Sequence, residues 1–176
     1  GIDHPDCVAR LQRRIPEERV RVLAGNWLDL ELGESFTKVL IYSVLHYLSD
    51  MAEVRTFVEK ALARLERGGA MLLGDLPSQD YRERFDNTPE GTAFNEKWNA
   101  GLQASLSEEA QILKEMPEAT AAHLLRPDRD TIIFHDLDLL QLVHSIRKAG
   151  FDAWILPQEG DLPFKTQRED ILVRRP

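Results

Sequence analysis

Residues 39–50 read VLIYSVLHYLSD, and residues 65–77 read LERGGAMLLGDLP. The run from Lys38 to Leu45 is almost continuously apolar, which is typical of a strand covered on both faces in a parallel sheet. Residues 70–75 form a second apolar run that stops before Pro77, and they predict another buried strand. The two runs predict an α/β sheet with helices packed on both sides.

The residues between these strands predict a helix. Apolar side chains recur at steps of three and one, at positions 54, 57, 58, 61, 62 and 65. This spacing places them on one helix face, and Gly68 with Gly69 supplies the left-handed backbone at which many helices end. A strand, a helix and a second strand therefore follow one another, as in a parallel α/β unit.

The flanking sequence continues the alternation. We expect a strand tail at residues 1–3, a helix at 8–15, a strand at 20–24 and a loop at 25–37. Asp136 is the predicted N-cap of a helix that closes at Ala149 and Gly150. Strands at residues 151–156 and 170–174 then form an antiparallel hairpin.

Residues 78–134 interrupt the alternation and predict an insertion or lid within the domain. Helical stretches are expected at residues 94–104 and 108–115. The segment is rich in aromatic and basic side chains, and Phe94 and Trp98 share one helix face. Such a pair belongs to a core more often than to a substrate platform.

Composition indicates a single globular domain. The 176 residues are 43% hydrophobic, and 22 Lys and Arg face 30 Asp and Glu, for a net charge of -8. An acidic surface repels phosphate backbones and anionic membranes, so nucleic acid and membrane are not expected partners. The single cysteine, Cys7, allows no intrachain disulfide, and no apolar run reaches the roughly 20 residues that cross a bilayer. We expect a cytoplasmic protein.

Four segments resemble the class I S-adenosylmethionine-dependent methyltransferases. They are residues 1–3, residues 24–27, residues 39–50, and residues 65–77 with the closing KAGF at 148–151. The resemblance covers nearly all of the chain and implies a Rossmann-like sheet in three α/β/α layers, mostly parallel with an antiparallel C-terminal strand. S-adenosylmethionine is the implied cofactor.

The glycine-rich motif that follows the first strand in this family is absent from residues 1–176. In the family that strand lies between the second and the fourth, so its loss leaves two strands with unpaired backbone groups. The chain also begins with Gly1 instead of Met. We therefore expect a native protein that is longer by about 30 residues or more, the scale of a βαβ unit.

The resemblance implies five cofactor-binding residues: Asp3, His4, Asn26, Trp27 and Ser43. The Asp3 carboxylate would accept hydrogen bonds from both ribose hydroxyls, or else cap the next helix. His4 would lie beside the adenine or in an exposed loop. Asn26, at a position where the family usually has Asp, would accept from the adenine amino group; Trp27 would cover the ring or pack on the domain. Ser43 would lie near the methionyl part.

Three residues are candidates for catalysis: His46, Asp75 and His135. His46 is a general base, or a structural residue that caps the next turn as in many relatives. Asp75 binds the acceptor or acts as the base, or else caps a turn. His135, like His123, contacts substrate from the lid. The three match no standard ligand spacing, so no metal is expected.

The sequence thus predicts a methyltransferase acting on a small molecule, with an oxygen acceptor preferred and a homodimer left open. One alternative is a nicotinamide-dependent oxidoreductase, although short-chain members need Lys four residues after Tyr and no tyrosine here has one. The other is a non-catalytic relative that binds a partner protein.

Overall fold

The computed structural model describes residues 1–14, 20–101, 131–158, 162 and 164–176. The predicted helix at 108–115 and His123 lie outside these residues. The described chain contains six strands, five α-helices and a 3-10 turn. In order they are β1 (Ile2–Asp3), α1 (Pro5–Gln12), β2 (Leu23–Ala24), β3 (Phe36–Tyr42), a 3-10 turn (Leu45–Tyr47), α2 (Met51–Leu62), β4 (Leu65–Pro77), α3 (Gln79–Asp86), α4 (described over 89–101), α5 (Asp136–Lys148), β5 (Asp152–Pro157) and β6 (Arg168–Arg174).

The described strands form two sheets. Four of them pair in the order β3-β4-β6-β5, and β1 pairs with β2 in a separate two-stranded parallel sheet. β3 and β4 are parallel, whereas β6 is antiparallel to both β4 and β5. The predicted α/β class and the predicted antiparallel hairpin of the last two strands are therefore confirmed.

One face of the four-stranded sheet carries the core. Ile41 of β3, Leu73 of β4, Ile171 of β6 and Ile155 of β5 lie side by side in one row across the sheet. The apolar faces of α2 and α5 pack over this row. Their buried residues are Val54, Phe57, Val58, Ala61 and Leu62 in α2 and Leu139, Leu142, Val143 and Ile146 in α5.

The opposite face of the sheet is also apolar, but it is less covered. The neighbouring row contains Leu40, Leu72, Leu172 and Trp154. Leu40 is 68% exposed and Trp154 is 41% exposed. The prediction of a strand covered on both faces is therefore wrong for the β3 residues in this row.

Two predicted helix boundaries are wrong. Helix α2 ends at Leu62 with Ala63 as its C-cap, and Gly68 and Gly69 lie inside β4 instead of stopping the helix. The Gly68 N–H donates to the carbonyl oxygen of Arg175, just beyond the end of β6, at 2.9 Å. Helix α5 begins one residue earlier than predicted, because His135 and not Asp136 is its N-cap.

Strand boundaries also differ from the sequence prediction. β4 covers Leu65–Pro77, whereas the sequence predicted a strand over residues 70–75. β3 begins at Phe36, within the predicted loop 25–37, because the Phe36 N–H donates to the Arg64 carbonyl at 2.7 Å. β2 is limited to Leu23–Ala24, although residues 20–24 are all compatible with a strand. No helix in the described part of the chain is long and apolar enough to cross a membrane.

Two adjacent leucines of α5 differ in burial, and comparing their alanine variants tests the placement of this helix. Leu139 is fully buried, whereas the adjacent Leu140 is 56% exposed. We expect Leu139→Ala to lower the free energy of unfolding by about 2–5 kcal/mol, because it removes buried methyl groups and leaves a cavity. Leu140→Ala should change it by less than about 1 kcal/mol. Urea unfolding monitored by circular dichroism measures both, and equal losses would contradict this placement of α5.

Candidate functional site

A cavity of about 860 Å3 separates the two sheets. β1 forms one wall and β3 forms the opposite wall. In the described structure these two strands belong to different sheets and are not hydrogen-bonded to each other. All five predicted cofactor-binding residues line this single cavity. The cavity follows most of the length of β3, from Phe36 to Tyr42, and continues past Ser43 at the carboxyl end of that strand.

Asp3 lies at the end of β1 with an exposed side chain. Its Oδ1 accepts a hydrogen bond from the His4 N–H at 2.7 Å, and its second oxygen makes no hydrogen bond to the described residues. The helix cap is His4, whose Nδ1 accepts from the Asp6 N–H at 3.3 Å. Asp3 is therefore not the N-cap of α1, and it presents a carboxylate oxygen at the cavity.

Asn26 and Trp27 follow β2 and have protein partners. The Asn26 Oδ1 accepts from the Leu28 N–H at 3.1 Å, which forms a local turn. The Trp27 indole N–H donates to the Phe57 carbonyl at 3.2 Å, and the Lys60 ammonium lies 5.2 Å from the ring centre. Trp27 thus packs on α2, which agrees with the predicted alternative that it packs on the domain. It also borders the cavity.

Asp75 owes its position to a bulge in β4. Along β4, Leu73 pairs with Ile171 and Leu76 with Glu169, so Gly74 and Asp75 together face one residue of β6. Asp75 has a φ of 64°, the left-handed backbone that bulges often contain. The distortion tilts its carboxylate toward the end of β3, where Ser43 also has a left-handed φ, of 56°.

The Asp75 carboxylate accepts hydrogen bonds from three side chains. Its Oδ2 accepts from the Ser43 hydroxyl at 2.5 Å and from the Arg168 guanidinium at 3.2 Å. Its Oδ1 accepts from the Gln158 side-chain amide at 3.2 Å. Arg168 also donates to the Asp75 carbonyl at 3.2 Å. Asp75 is therefore held in one orientation by donors from β3, β6 and the end of β5.

A second acidic residue completes this polar cluster. The Asp170 Oδ1 accepts from the Asp75 N–H at 2.9 Å, and Gln158 reaches the Tyr42 hydroxyl at 3.3 Å. A Cβ at Gly74 would overlap the Tyr42 ring, so glycine is required where this ring crosses β4. Partial burial and the charges of Asp75 and Asp170 raise the pKa of Tyr42, so its hydroxyl stays protonated at neutral pH.

His46 is buried beside this cluster, in the 3-10 turn that follows β3. Its ring lies 4.2 Å from that of Tyr47, and its Nδ1 has no hydrogen-bond partner among the described residues. Helix α2 is capped by Asp50 and not by His46. Burial lowers the pKa of His46 below its ordinary 6.5; the Arg168 charge lowers it further, and Asp75 opposes the shift. The imidazole is therefore neutral at pH 7.

His135 lies away from the cluster around Asp75 and contacts Asp80 instead. Its Nδ1 lies 3.3 Å from the Asp80 Oδ1, and its backbone N–H donates to Asp138 at 2.9 Å. The structure thus places His135 between α3 and α5, not in the cluster around Asp75. Within the described residues, no three His, Cys, Asp and Glu side chains are grouped to hold a metal ion.

Sequence reasoning missed Arg168 and Gln158. A usable signal is the direction of the last strand: because β6 is antiparallel to β4, its first residues meet the carboxyl end of β4. Arg168 opens β6 and lies opposite Pro77. A charged residue at the start of a predicted antiparallel strand is therefore a site candidate.

Solved structures with this fold are S-adenosylmethionine-dependent methyltransferases. The methyltransferase SibL, in its apo form, aligns with all of this chain at a TM-score of 0.59 and 21% identity, and 42% of SibL is covered. The N-methyltransferase NodS from Bradyrhizobium japonicum, in complex with S-adenosylhomocysteine, aligns with 99% of the chain at a TM-score of 0.53 and 15% identity. The alignment covers 65% of NodS. An O-methyltransferase family 2 protein from Planctomyces limnophilus, in complex with apigenin, aligns with 99% of this chain at a TM-score of 0.55 and 17% identity. The alignment covers 42% of that protein.

The chain therefore has the fold of the S-adenosylmethionine-dependent methyltransferases. It spans less than two thirds of the length of each of these three proteins. No family model and no curated protein matched the sequence.

The charges around His46 make its pKa a test of the site. We expect a His46 pKa below 6.5, higher in Arg168→Gln because a nearby positive charge is lost, and lower in Asp75→Asn because a negative charge is lost. Proton NMR titration of the imidazole resonances measures these shifts, with His46→Gln to assign the signal. Arg55→Gln, an exposed charge on α2, is the control and should leave the titration unchanged.

Proposed function

We propose that this chain binds S-adenosylmethionine and takes part in transferring its methyl group to a small molecule. The observation that carries the proposal is the cavity between β1 and β3, where the residues that follow β1, β2 and β3 lie together. The fold is like that of a methyltransferase, and the five residues that the sequence analysis assigned to cofactor binding all line this one cavity. The three-layer arrangement, a cytoplasmic location and a homodimeric state remain parts of this proposal.

The side chains around the cavity suit different parts of the cofactor. Asp3 offers a carboxylate oxygen with no described protein partner, and two adjacent ribose hydroxyls are suitable donors for it. His4 and Asn26 are exposed on the same wall and would flank the adenine. Ser43 links this cavity to Asp75 through its hydroxyl, so it would hold the methionyl part close to the acceptor.

The cofactor supplies an electrophilic methyl group on a sulfonium, and a hydroxyl acceptor must lose its proton as the new bond forms. His46 is the proposed base, because its imidazole is neutral at pH 7 and lies beside Asp75. Its Nδ1 is buried and His46 does not line the cavity, so this role requires the ring to turn toward the acceptor. Asp75 is already bound by three donors and is better suited to positioning. His135 would contact substrate only from the α3–α5 side.

The acceptor is proposed to be a small molecule, with oxygen preferred over nitrogen. Structures of similar fold include an O-methyltransferase family protein in complex with apigenin and the N-methyltransferase NodS. The preference for oxygen comes from His46, since deprotonation by a neutral imidazole assists a hydroxyl acceptor. The segment 78–134 is the proposed insertion that covers the acceptor.

A second candidate function is that of a non-catalytic relative that binds a partner protein. It is favoured by Asn26 and Trp27, because the Asn26 Oδ1 and the Trp27 indole N–H already have protein partners. Cofactor binding separates the two candidates, because the non-catalytic function does not require it.

Isothermal titration calorimetry with S-adenosylhomocysteine tests the proposal. We expect the chain to bind this product, and Asp3→Asn to weaken binding by about 10–100-fold, because hydrogen bonds to a charged acceptor contribute about 1.5–3 kcal/mol.

The matched control is Asp152→Asn, an exposed carboxylate at the start of β5 that does not line the cavity. Its affinity for S-adenosylhomocysteine should equal that of the unchanged chain. The measurement uses the full native protein. Absence of binding to it would overturn the proposed function, and equal affinities of the two variants would overturn the role of Asp3.

A further inference from the structure

Helix α5 exposes apolar side chains on the side that points away from the core. Its buried face is formed by Leu139, Leu142, Val143 and Ile146. Because successive residues are about 100° apart around a helix, Leu137 falls nearly opposite the centre of that face. Leu137 is 63% exposed, and Leu140 on the next turn is 56% exposed. These two leucines therefore form an apolar patch that the fold itself does not bury.

The middle of this exposed face has no Asp, Glu, Lys or Arg. Its exposed residues are Leu137, Leu140, Gln141 and His144. A helix face that meets solvent is normally polar or charged, whereas the centre of a protein interface is depleted of charged residues. Helix α2, which is of similar length, exposes no large apolar side chain. The outer face of α5 therefore has the composition of an interface centre.

The two ends of α5 carry charges of opposite sign. Asp136 and Asp138 lie in its first turn, and Arg147 and Lys148 lie in its last turn. Asp136 is paired with Arg84 at 2.6 Å, whereas Asp138 and Lys148 form no ion pair with the described residues. A charge of each sign is therefore available at the two ends of the uncharged middle.

This distribution of charge makes the outer face of α5 complementary to itself. A second α5 that runs in the opposite direction places its basic end beside the acidic end of the first, and the reverse holds at the other end. Parallel pairing brings like charges together. A two-fold axis perpendicular to the helix produces the antiparallel arrangement, so the occupant that fits this face is a second copy of the chain.

The size of the face limits the strength of the pairing. A helix of 13 residues is only about 20 Å long. Two such helices bury less than the roughly 1,200–2,000 Å2 of stable protein interfaces, so we expect a dimer that dissociates on dilution. With the axis between Leu140 and Gln141, Leu137 of one copy lies opposite His144 of the partner subunit.

We propose that the outer face of α5 is a self-association surface, on which α5 of a second copy packs in the antiparallel orientation. This inference rests on the homodimeric state within the proposed function and identifies its interface. It requires neither cofactor binding nor methyl transfer.

Sedimentation equilibrium of the full native protein over a wide range of concentrations tests the surface. We expect the double variant Leu137→Gln with Leu140→Gln to weaken dimerisation by at least about tenfold, because leucine side chains lose their burial at the interface. The matched control is Leu156→Gln, which replaces a leucine that is 38% exposed on β5. It should leave the dimerisation constant unchanged, and circular dichroism checks that all variants are folded.

Disulfide trapping tests the orientation. In a Cys7→Ser background, which removes the exposed native cysteine, one chain carries Leu137→Cys and a second chain of different mass carries His144→Cys. Antiparallel packing brings positions 137 and 144 of different copies together, so we expect mixed disulfides after oxidation of the mixture. Parallel packing joins each position to itself, and mass spectrometry distinguishes the products.

A monomer at every concentration would mean that a different partner or none covers α5, and it would overturn this inference. Equal effects of the α5 variant and the Leu156→Gln control, or disulfides that join each position only to itself, would also contradict it. If the protein binds S-adenosylhomocysteine and stays monomeric, the inference fails and the proposed cofactor binding survives. If the α5 variant dissociates a dimer that does not bind S-adenosylhomocysteine, the interface stands and the proposed cofactor binding fails.

Discussion

The bulge at Gly74 and Asp75 is the constraint on which the polar site depends. β4 is paired on both edges, so a regular strand would direct successive side chains alternately to the two faces of the sheet. The extra residue interrupts this alternation and brings a carboxylate to the end of the strand. A left-handed aspartate is unfavourable by about 1–3 kcal/mol. The hydrogen bonds from Ser43, Arg168 and Gln158 offset that strain and hold the distorted backbone in place.

The cluster also distributes charge in a way that suits chemistry at neutral pH. Arg168 neutralises Asp75, and burial beside this ion pair keeps His46 uncharged. A neutral imidazole can accept a proton, whereas the two carboxylate oxygens of Asp75 are already engaged by three donors. The proposed division of roles, with His46 as base and Asp75 as positioning residue, rests on the unpartnered Nδ1 of His46 and on the three donors to Asp75.

Much of the fold was predictable, because it follows from local periodicity. The apolar periodicity of α2 and the apolar run of β4 can each be recognised within a stretch of about a dozen residues. Gly68 and Gly69 were misassigned because a glycine pair is compatible with a helix end and with a strand alike. The residues proposed to bind the cofactor came from the family resemblance, which places them at the ends of strands. Arg168 and Gln158 could not be found in this way, because 93 and 83 residues separate them from Asp75 and only the pairing of β6 brings them together.

That separation has a consequence for how the chain is made. During synthesis, Asp75 emerges long before Arg168 and Asp170 exist, so the β4 bulge lacks two of its partners for more than 90 residues of elongation. β3, β4 and α2 can pair early, since their contacts are short-range. The polar cluster is therefore a late product of folding, and its assembly is limited by closure of a long loop between β4 and β6.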